Sequence, residues 1–414
     1  MSAIATEFPE SFRSWRQRVV RQGALPVIGV AGSRGKSTVI RLLDAILTAA
    51  DLRVATWTDA GIEIRGRRQS SELAAWESCL RRLAGNTLDV VIQELDWPTV
   101  NAVGLPASAY PVVAVTNICV NNDRCMIQAE TQLAVKAYAR VRSASRVDGA
   151  LVLNGDDFAV AGTEVEYDAP ATLFALSHDA PLVRVHLAEG GRAGWIANKQ
   201  LVVGTATATT TVVSQDELPF ALGGLASFQV QNALAAILIA EICGIPPHVS
   251  GPVVARFEIP NSLPGSFNQI AYARGIAIVD RPTPSWYLRP ILRAMRQRPQ
   301  GGTIVVCGQL REIPVDDLTE VGRLIARSAD AIVLHSETLA ADRIKLLRLG
   351  IDIAERAMVV VHTKSERTAI ARGLTMMRPG DGLLVLADNP ASSLRQLTRA
   401  TGPSIEFDGD QAAH

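Results

Sequence analysis

The stretch Gly29-Val-Ala-Gly-Ser-Arg-Gly-Lys-Ser-Thr38 constrains this chain more than any other. An apolar, β-leaning run from Leu25 to Val30 enters a loop with glycines at 29, 32 and 35, and the periodicity from Thr38 to Leu47 predicts an amphipathic helix. Strand, glycine loop and helix in that order make a phosphate loop. Gly32, Ser33, Arg34 and Gly35 let backbone N–H groups curl around a phosphate, Lys36 brings a point charge to its β and γ groups, and the Ser37 or Thr38 hydroxyl reaches Mg²⁺. The start of the helix adds its own partial positive charge. Val30 stands where the strict G-x-x-x-x-G-K-[ST] pattern has glycine, so the loop is the variant G-x-x-G-x-x-G-K-S-T.

The whole chain sets the class. A length of 414 residues favours two or three domains, each able to bury a core. Lysine plus arginine (41) equals aspartate plus glutamate (41), so no net field draws nucleic acid or an anionic membrane. No apolar run is long enough for a membrane segment and the first residues lack a signal-peptide core. The five cysteines are scattered without a C-x-x-C pair, which suits reduced, buried thiols and a cytoplasmic protein.

Taken in order, Leu88 to Glu94 reads as a buried strand ending in a carboxylate. Ligands of open α/β sheets sit beyond strand carboxyl ends, which would put Glu94 at the nucleotide's metal; a solvated strand-end glutamate is the other reading. Pro111 to Asn117 and Gly149 to Asp157 are further strands, with a helix from about Ala129 to Ala144 between them that carries Lys136. Short alternating runs at Val183-Arg-Val-His-Leu187 and Gln200-Leu-Val-Val203 suggest a β-rich insertion over about 180–219. Ser227 to Ile242 follows as an alanine-rich helix, and a Pro/Asn/Ser stretch around Phe257 to Gly265 reads as a linker. Beyond it a second strand–helix alternation begins. The expected fold is therefore α/β: a P-loop ATPase domain with a mostly parallel sheet over residues 1–260, then a smaller Rossmann-like α/β domain over 261–414.

These motifs, in this order, resemble the Mur ligase superfamily of ATP-dependent carboxylate–amine ligases, and most of all the Mur-ligase-like half of cyanophycin synthetases. Besides the phosphate loop, Thr58-Asp-Ala-Gly-Ile-Glu-Ile-Arg-Gly-Arg67 is similar to that family's TTDGVYIDGR. Val115-Thr-Asn-Ile118, Val147 to Asp157, His186 to Ala193, Leu222 to Ala236, Pro264-Gly-Ser-Phe-Asn268 and Arg378-Pro-Gly-Asp381 also match. Poly-γ-glutamate synthetases share Arg34 to Arg41 in pattern. The resemblance implies an acid–amine ligase that uses ATP and Mg²⁺ and works through an acyl phosphate on a peptide, amino-acid or polymer substrate without a UDP group. It implies phosphate and metal binding by Lys36 and Ser37, a Mg²⁺ at Glu94, adenine at Asn232 and ribose at Asp280; capping of the helix near Pro284 is the other reading of Asp280. Relatives form homo-oligomers, and a synthetase partner is the other association implied.

Departures are as informative. Asn121-Asn122 replaces Asp-His, which makes Asn122 a weaker candidate metal ligand. Leu95-Asp-Trp-Pro98 replaces ARGG, Ser266 replaces the arginine of PGR, Asp280-Arg-Pro-Thr-Pro-Ser285 replaces DYAHNP, and Gln309 to Asp317 replaces the GDRRDED loop. Lys136 lies near, but out of step with, the family's carbamylated lysine, and a surface helix lysine is the reading its position favours. The alternative function is a nucleotide-binding homologue with little or no ligase activity that serves a synthetase as partner or scaffold; a generic P-loop kinase or ATPase leaves the second domain's matches unexplained.

Overall fold

The computed structural model describes residues 11–118, 128–162, 170–298, 300–337 and 341–400. The chain divides into two compact units, Met1–Ile259 and Pro260–His414.

The first unit holds one sheet of eleven strands: β1 (Val27–Ala31), β2 (Val54–Thr58), β3 (Gly61–Ile64), β4 (Arg67–Arg68), β5 (Val90–Leu95), β6 (Tyr110–Val115), β7 (Ser145–Asn154), β8 (Ala171–Phe174), β9 (Arg192–Ala197), β10 (Gln200–Gly204) and β11 (Thr209–Ser214). Their spatial order is β11-β10-β9-β8-β7-β6-β1-β5-β2-β3-β4. From β2 through β9 the ladders that carry the middle of the sheet are parallel, and antiparallel hairpins finish both edges. Parallel strands are covered on both faces, which is why β1 and β6 are buried along their whole length. Ile28 and Val30 of β1, Val90 and Ile92 of β5, and Val112 and Ala114 of β6 pack under the helices Lys36–Ala49 and Ser227–Ile242. The second of these helices is apolar nearly all round, as a central core helix must be. β1 lies where strand order turns in opposite directions, β5 on one side and β6 on the other, and the phosphate loop leaves its carboxyl end at that switch point.

The stretch read as a β-rich insertion differs. Val183 to Leu187 belongs to the helix Pro181–Ala188, which opens on proline and ends before Gly190 at φ 85°. Val183 and Leu187, four residues apart, are its buried pair. β9, β10 and β11 continue the main sheet, because β9 pairs in parallel with β8 and so satisfies that strand's outer hydrogen bonds.

The second unit holds a six-stranded sheet in the order β12-β13-β17-β14-β15-β16, built from β12 (Ser266–Tyr272), β13 (Gly275–Asp280), β14 (Thr303–Cys307), β15 (Ala331–His335), β16 (Val359–Thr363) and β17 (Asp381–Leu386). All ladders are parallel except β12 with β13. Val279, Val306, Val333 and Val385 form its core with Ile370 and Leu397 of the covering helices.

Candidate active site

At the carboxyl ends of β1, β5, β6 and β7, polar side chains replace the apolar ones of the strand bodies. The phosphate loop is fixed there through its backbone. The Ser33 N–H donates to the Asn117 carbonyl at 2.8 Å. The Arg34 N–H donates to Asn117 Oδ1 at 3.0 Å, and the Arg34 carbonyl accepts from Asn117 Nδ2 at 3.0 Å and Thr116 Oγ1 at 2.6 Å. The next strand end supports this one: Asn154 Nδ2 donates to the Thr116 carbonyl at 2.7 Å, and the Ile118 N–H donates to Asp157 at 2.7 Å. Two glycines are obligatory here. Gly32 at φ 140° would place a Cβ 1.9 Å from Thr116 Oγ1, and Gly35 at φ 88° would place one 2.4 Å from Asn232 Oδ1.

The loop's charged end meets β5. Ser37 Oγ donates to Glu94 Oε2 at 3.0 Å, the Lys36 ammonium lies 3.4 Å from Glu94 Oε1 and donates to the Gly32 carbonyl at 2.9 Å, and the Asp59 N–H donates to Glu94 Oε2 at 3.3 Å. Lys36, Ser37 and Glu94 therefore form one cluster, and Thr38 is buried behind it. The hydroxyl and carboxylate are hard oxygen donors on one side of the loop, the set Mg²⁺ takes when waters and phosphate oxygens complete its shell. Among the described residues no group of three His, Cys, Asp or Glu side chains is arranged to hold a metal by itself. Asn122 lies outside the described residues. Lys136 is exposed on the helix Gln128–Ala144.

Asn232 sits beside Gly35 on the helix Ser227–Ile242, is 4% exposed, and donates to Gln229 Oε1 at 2.9 Å. Its neighbour Gln231 donates to Asp156 at 2.8 Å, and the Leu176 N–H donates to the same oxygen at 2.7 Å. Burial raises the Asp156 carboxyl above its ordinary value, and these two donors oppose the rise.

Several contributors went unassigned in the sequence. Asn117 clamps the loop backbone, and Asp59 holds Glu94. Trp97, in place of the first glycine of the family's ARGG, donates from Nε1 to Ser33 Oγ at 3.1 Å, and Ser33 Oγ in turn donates to the Ile118 carbonyl at 3.1 Å. Only the position of Asn117 at a strand end was a usable signal. A second buried cluster stands behind the site: Arg41 makes a two-pronged pair with Glu63, one contact at 2.8 Å, and also reaches Thr56. Asp44 lies next to it, and its carboxyl is pushed up to about 6, chiefly by burial and against the pull of Arg41. On the sheet's other face a cavity of about 490 Å³, walled by Trp57, Trp76 and Val100, reaches Glu94 at its rim. Its lining is otherwise largely apolar.

In the second unit Asp280 closes β13, is 7% exposed, and accepts from the Arg281 N–H at 2.8 Å. The first N–H of the helix Ser285–Arg296 donates to Asp317 at 2.7 Å, so Asp317 fills the capping place that one reading of the sequence gave to Asp280. Ser266 pairs with Asp280 across β12 and β13, and Thr283, 1% exposed, has no partner for its Oγ1 among the described residues.

Residues 30–240, just over half of the chain, match the Mur ligase middle domain. The chain belongs to the Mur ligase family. It is 26% identical over 390 residues to a cyanophycin synthetase of Trichormus variabilis, covering 92% of this chain and 43% of that protein. It is 24% identical over 378 residues to the UDP-N-acetylmuramoyl-L-alanyl-D-glutamate--2,6-diaminopimelate ligase of Corynebacterium efficiens, covering 87% of this chain and 68% of that protein. The chain thus spans less than half the length of the cyanophycin synthetase it matches. Among solved structures, E. coli FolC in complex with ADP superimposes with a TM-score of 0.63 at 17% identity, covering 95% of each chain. A pseudomurein peptide ligase type C of Methanothermus fervidus gives 0.59 at 16% identity, covering 91% of this chain and 79% of the other. These neighbours share the Mur ligase fold of large, mostly parallel sheets. No described helix is long and apolar enough to cross a membrane.

Proposed function

We propose that the chain is an ATP-dependent acid–amine ligase, with residues 1–260 as its ATP-binding domain and 261–414 as its C-terminal ligase domain. The observation that carries the reading is the Lys36–Ser37–Glu94 cluster on a phosphate loop whose backbone is already fixed. In the proposed reaction a substrate carboxylate oxygen attacks the γ-phosphorus of ATP, and the β–γ bridging oxygen leaves with ADP. The attacking nitrogen of an amine then forms the amide bond, the acyl carbon–oxygen bond breaks, and inorganic phosphate departs with the amine's proton lost to solvent. Lys36 offsets charge on the transferring phosphoryl group, and the loop N–H groups orient it. Ser37 and Glu94 would hold Mg²⁺, which supplies charge neutralisation at the phosphate oxygens. Asn232 is assigned to the adenine and Asp280 to the ribose hydroxyls. The acid substrate is a peptide or polymer end that carries no UDP.

Phosphate release from ATP, measured with purified protein across pools of amino acids and short acidic peptides, tests the proposal. Release that depends on one acid and one amine together supports it; release independent of both, or none, removes it. A second reading, a nucleotide-binding homologue without turnover, is favoured by Thr283, which stands buried where relatives carry histidine. Asn122→His combined with Ser266→Arg leaves such a homologue inactive, because position 283 remains changed. For the ribose assignment, Asp280→Asn is expected to weaken a non-hydrolysable ATP analogue about three- to ten-fold in calorimetry, and unchanged affinity removes it.

A further inference from the structure

The helices Ser285–Arg296 and Leu318–Ser328 of the second unit pack side by side, and an arginine-lined groove lies between their last turns. Arg289, Arg293 and Arg296 recur at helical spacing on one face of the first helix, and Arg327 comes from the end of the second. Together they line a groove of about 550 Å³ floored by Leu292 and Leu324.

The neighbouring charges do not balance these arginines. Glu320 pairs with Arg289, but also takes both prongs of Arg323, at 2.7 and 2.8 Å. Among the described residues Arg293 and Arg327 make no ion pair, and Arg296 reaches only the Arg327 carbonyl, at 3.4 Å. Arginines near a helix end commonly serve its free carbonyls. Here Arg356 already supplies that service, donating to the Arg327 carbonyl at 3.2 Å and the Ala326 carbonyl at 3.4 Å. Three guanidinium groups are thus left facing one concavity in a chain with no net charge.

We propose that this groove binds an acidic peptide segment, with successive Asp or Glu carboxylates taken by Arg293, Arg296 and Arg327. A guanidinium fork matches a carboxylate in two-pronged fashion, and the leucine floor suits the methylenes between carboxylates. A nucleic-acid strand fits less well. No aromatic ring lines the groove for base stacking, and the chain as a whole offers no positive field. The proposal rests on the groove alone and holds whether or not the phosphate loop turns over ATP.

Fluorescence anisotropy of a labelled oligo-aspartate of about ten residues, with the full chain at low salt, is the test. Saturable binding is expected, weakened about ten-fold or more by Arg293→Ser with Arg327→Ser, and abolished by Arg293→Glu. Arg372→Ser, an exposed change on another helix, should leave it unchanged. Lys36→Ala should also leave it unchanged, which separates this groove from the phosphate loop. All four arginines are exposed, so thermal unfolding of the variants should match the wild type. Absence of saturable binding, or equal binding by the double variant, overturns the proposal. Tighter binding of an oligouridylate of equal charge through the same arginines overturns it in favour of RNA.

Discussion

The carboxyl ends of the two parallel sheets can be set side by side. In the first unit, β1, β5 and β6 deliver Gly32 to Ser37, Glu94 and Thr116-Asn117 into a cluster where loop carbonyls, N–H groups and side chains bond to one another. In the second, β13, β14, β15 and β17 lead to Asp280, Gly308, His335 and Asp388, where buried polar atoms are left over. Among the described residues, Thr283 Oγ1, Trp286 Nε1 and His335 Nε2 have no hydrogen-bond partner. Gly308 sits close by: a Cβ there would lie 2.3 Å from the His335 ring and 2.7 Å from Asp388, so these side chains would have to shift. Burial pulls the His335 imidazole below its ordinary value, and the charge of Asp388 opposes that. The same sheet architecture can thus be finished in advance for its ligand or left with unmet hydrogen bonds. The first arrangement suits a small anion such as phosphate; the second suits a partner that supplies the missing hydrogen bonds.

The sharpest way to break this contrast is Glu94→Gln, which removes the charge at Ser37 and Lys36. ATP-dependent phosphate release is expected to fall about a hundred-fold or more with the fold intact, and retained turnover would remove Glu94 from the metal site. Lys36→Ala should follow, weakening a non-hydrolysable ATP analogue by about 1.5–3 kcal/mol in calorimetry. Equal affinity would sink the phosphate-loop assignment.

The two units should also respond to pH in opposite directions. Asp44 binds its proton more tightly in the folded state than its ordinary 3.8, at about 6, so its contribution to stability is lost as pH rises from about 4 to 6. Asp44→Asn is therefore expected to stabilise the protein at pH 7 by about 2 kcal/mol and by much less near pH 4. His335 is held neutral by burial, so the unfolded chain takes up the proton first and stability falls as pH drops below about 6.5. His335→Gln should lessen that acid-side loss. Thermal unfolding of both variants at pH 5 and 7 checks the pair, and parallel shifts would deny the difference between the sites. The smallest effect expected is for Trp97→Phe, which keeps the ring but loses the N–H to Ser33; nucleotide affinity should drop about three- to five-fold by titration, about 1 kcal/mol. No change would mean that Asn117, Thr116 and Glu94 hold the loop without help from the indole.

The phosphate loop was legible because all that it needs is contiguous: glycines, lysine, hydroxyls and the flanking strand and helix lie within residues 25–49. Glu94 was legible from its place at a strand end. Trp97 was not, because its partner Ser33 is 64 positions away and nothing local marks an indole as a donor. The helix Pro181–Ala188 was misread because the buried positions 183 and 187 satisfy a four-residue helical step and a two-residue strand alternation equally. Exposed Val185 between them completed the wrong pattern. Strand β12 was hidden for another reason. Its entry carries Gly265 at φ 78°, Phe267 at φ 66° and a register shift between Ser266 and Asn268, so it looks like a linker. Asn268 holds that irregular entry by accepting from the Gly265 N–H at 2.8 Å and the Ser266 N–H at 3.2 Å.

The run Glu94-Leu-Asp-Trp97 has a consequence for how such a chain can change over time. Glu94 grips the charged end of the phosphate loop and Trp97, three positions on, grips its tip, with Asp96 capping the helix Trp97–Val103 between them. Their separation is set by one strand-to-helix turn. A single inserted or deleted residue would swing one grip off the loop, since each added strand residue reverses the face its neighbours present. Homologous chains can therefore exchange residues at positions 95 and 96, but a change of length there should be purged, leaving a gap-free block in any lineage that keeps both contacts.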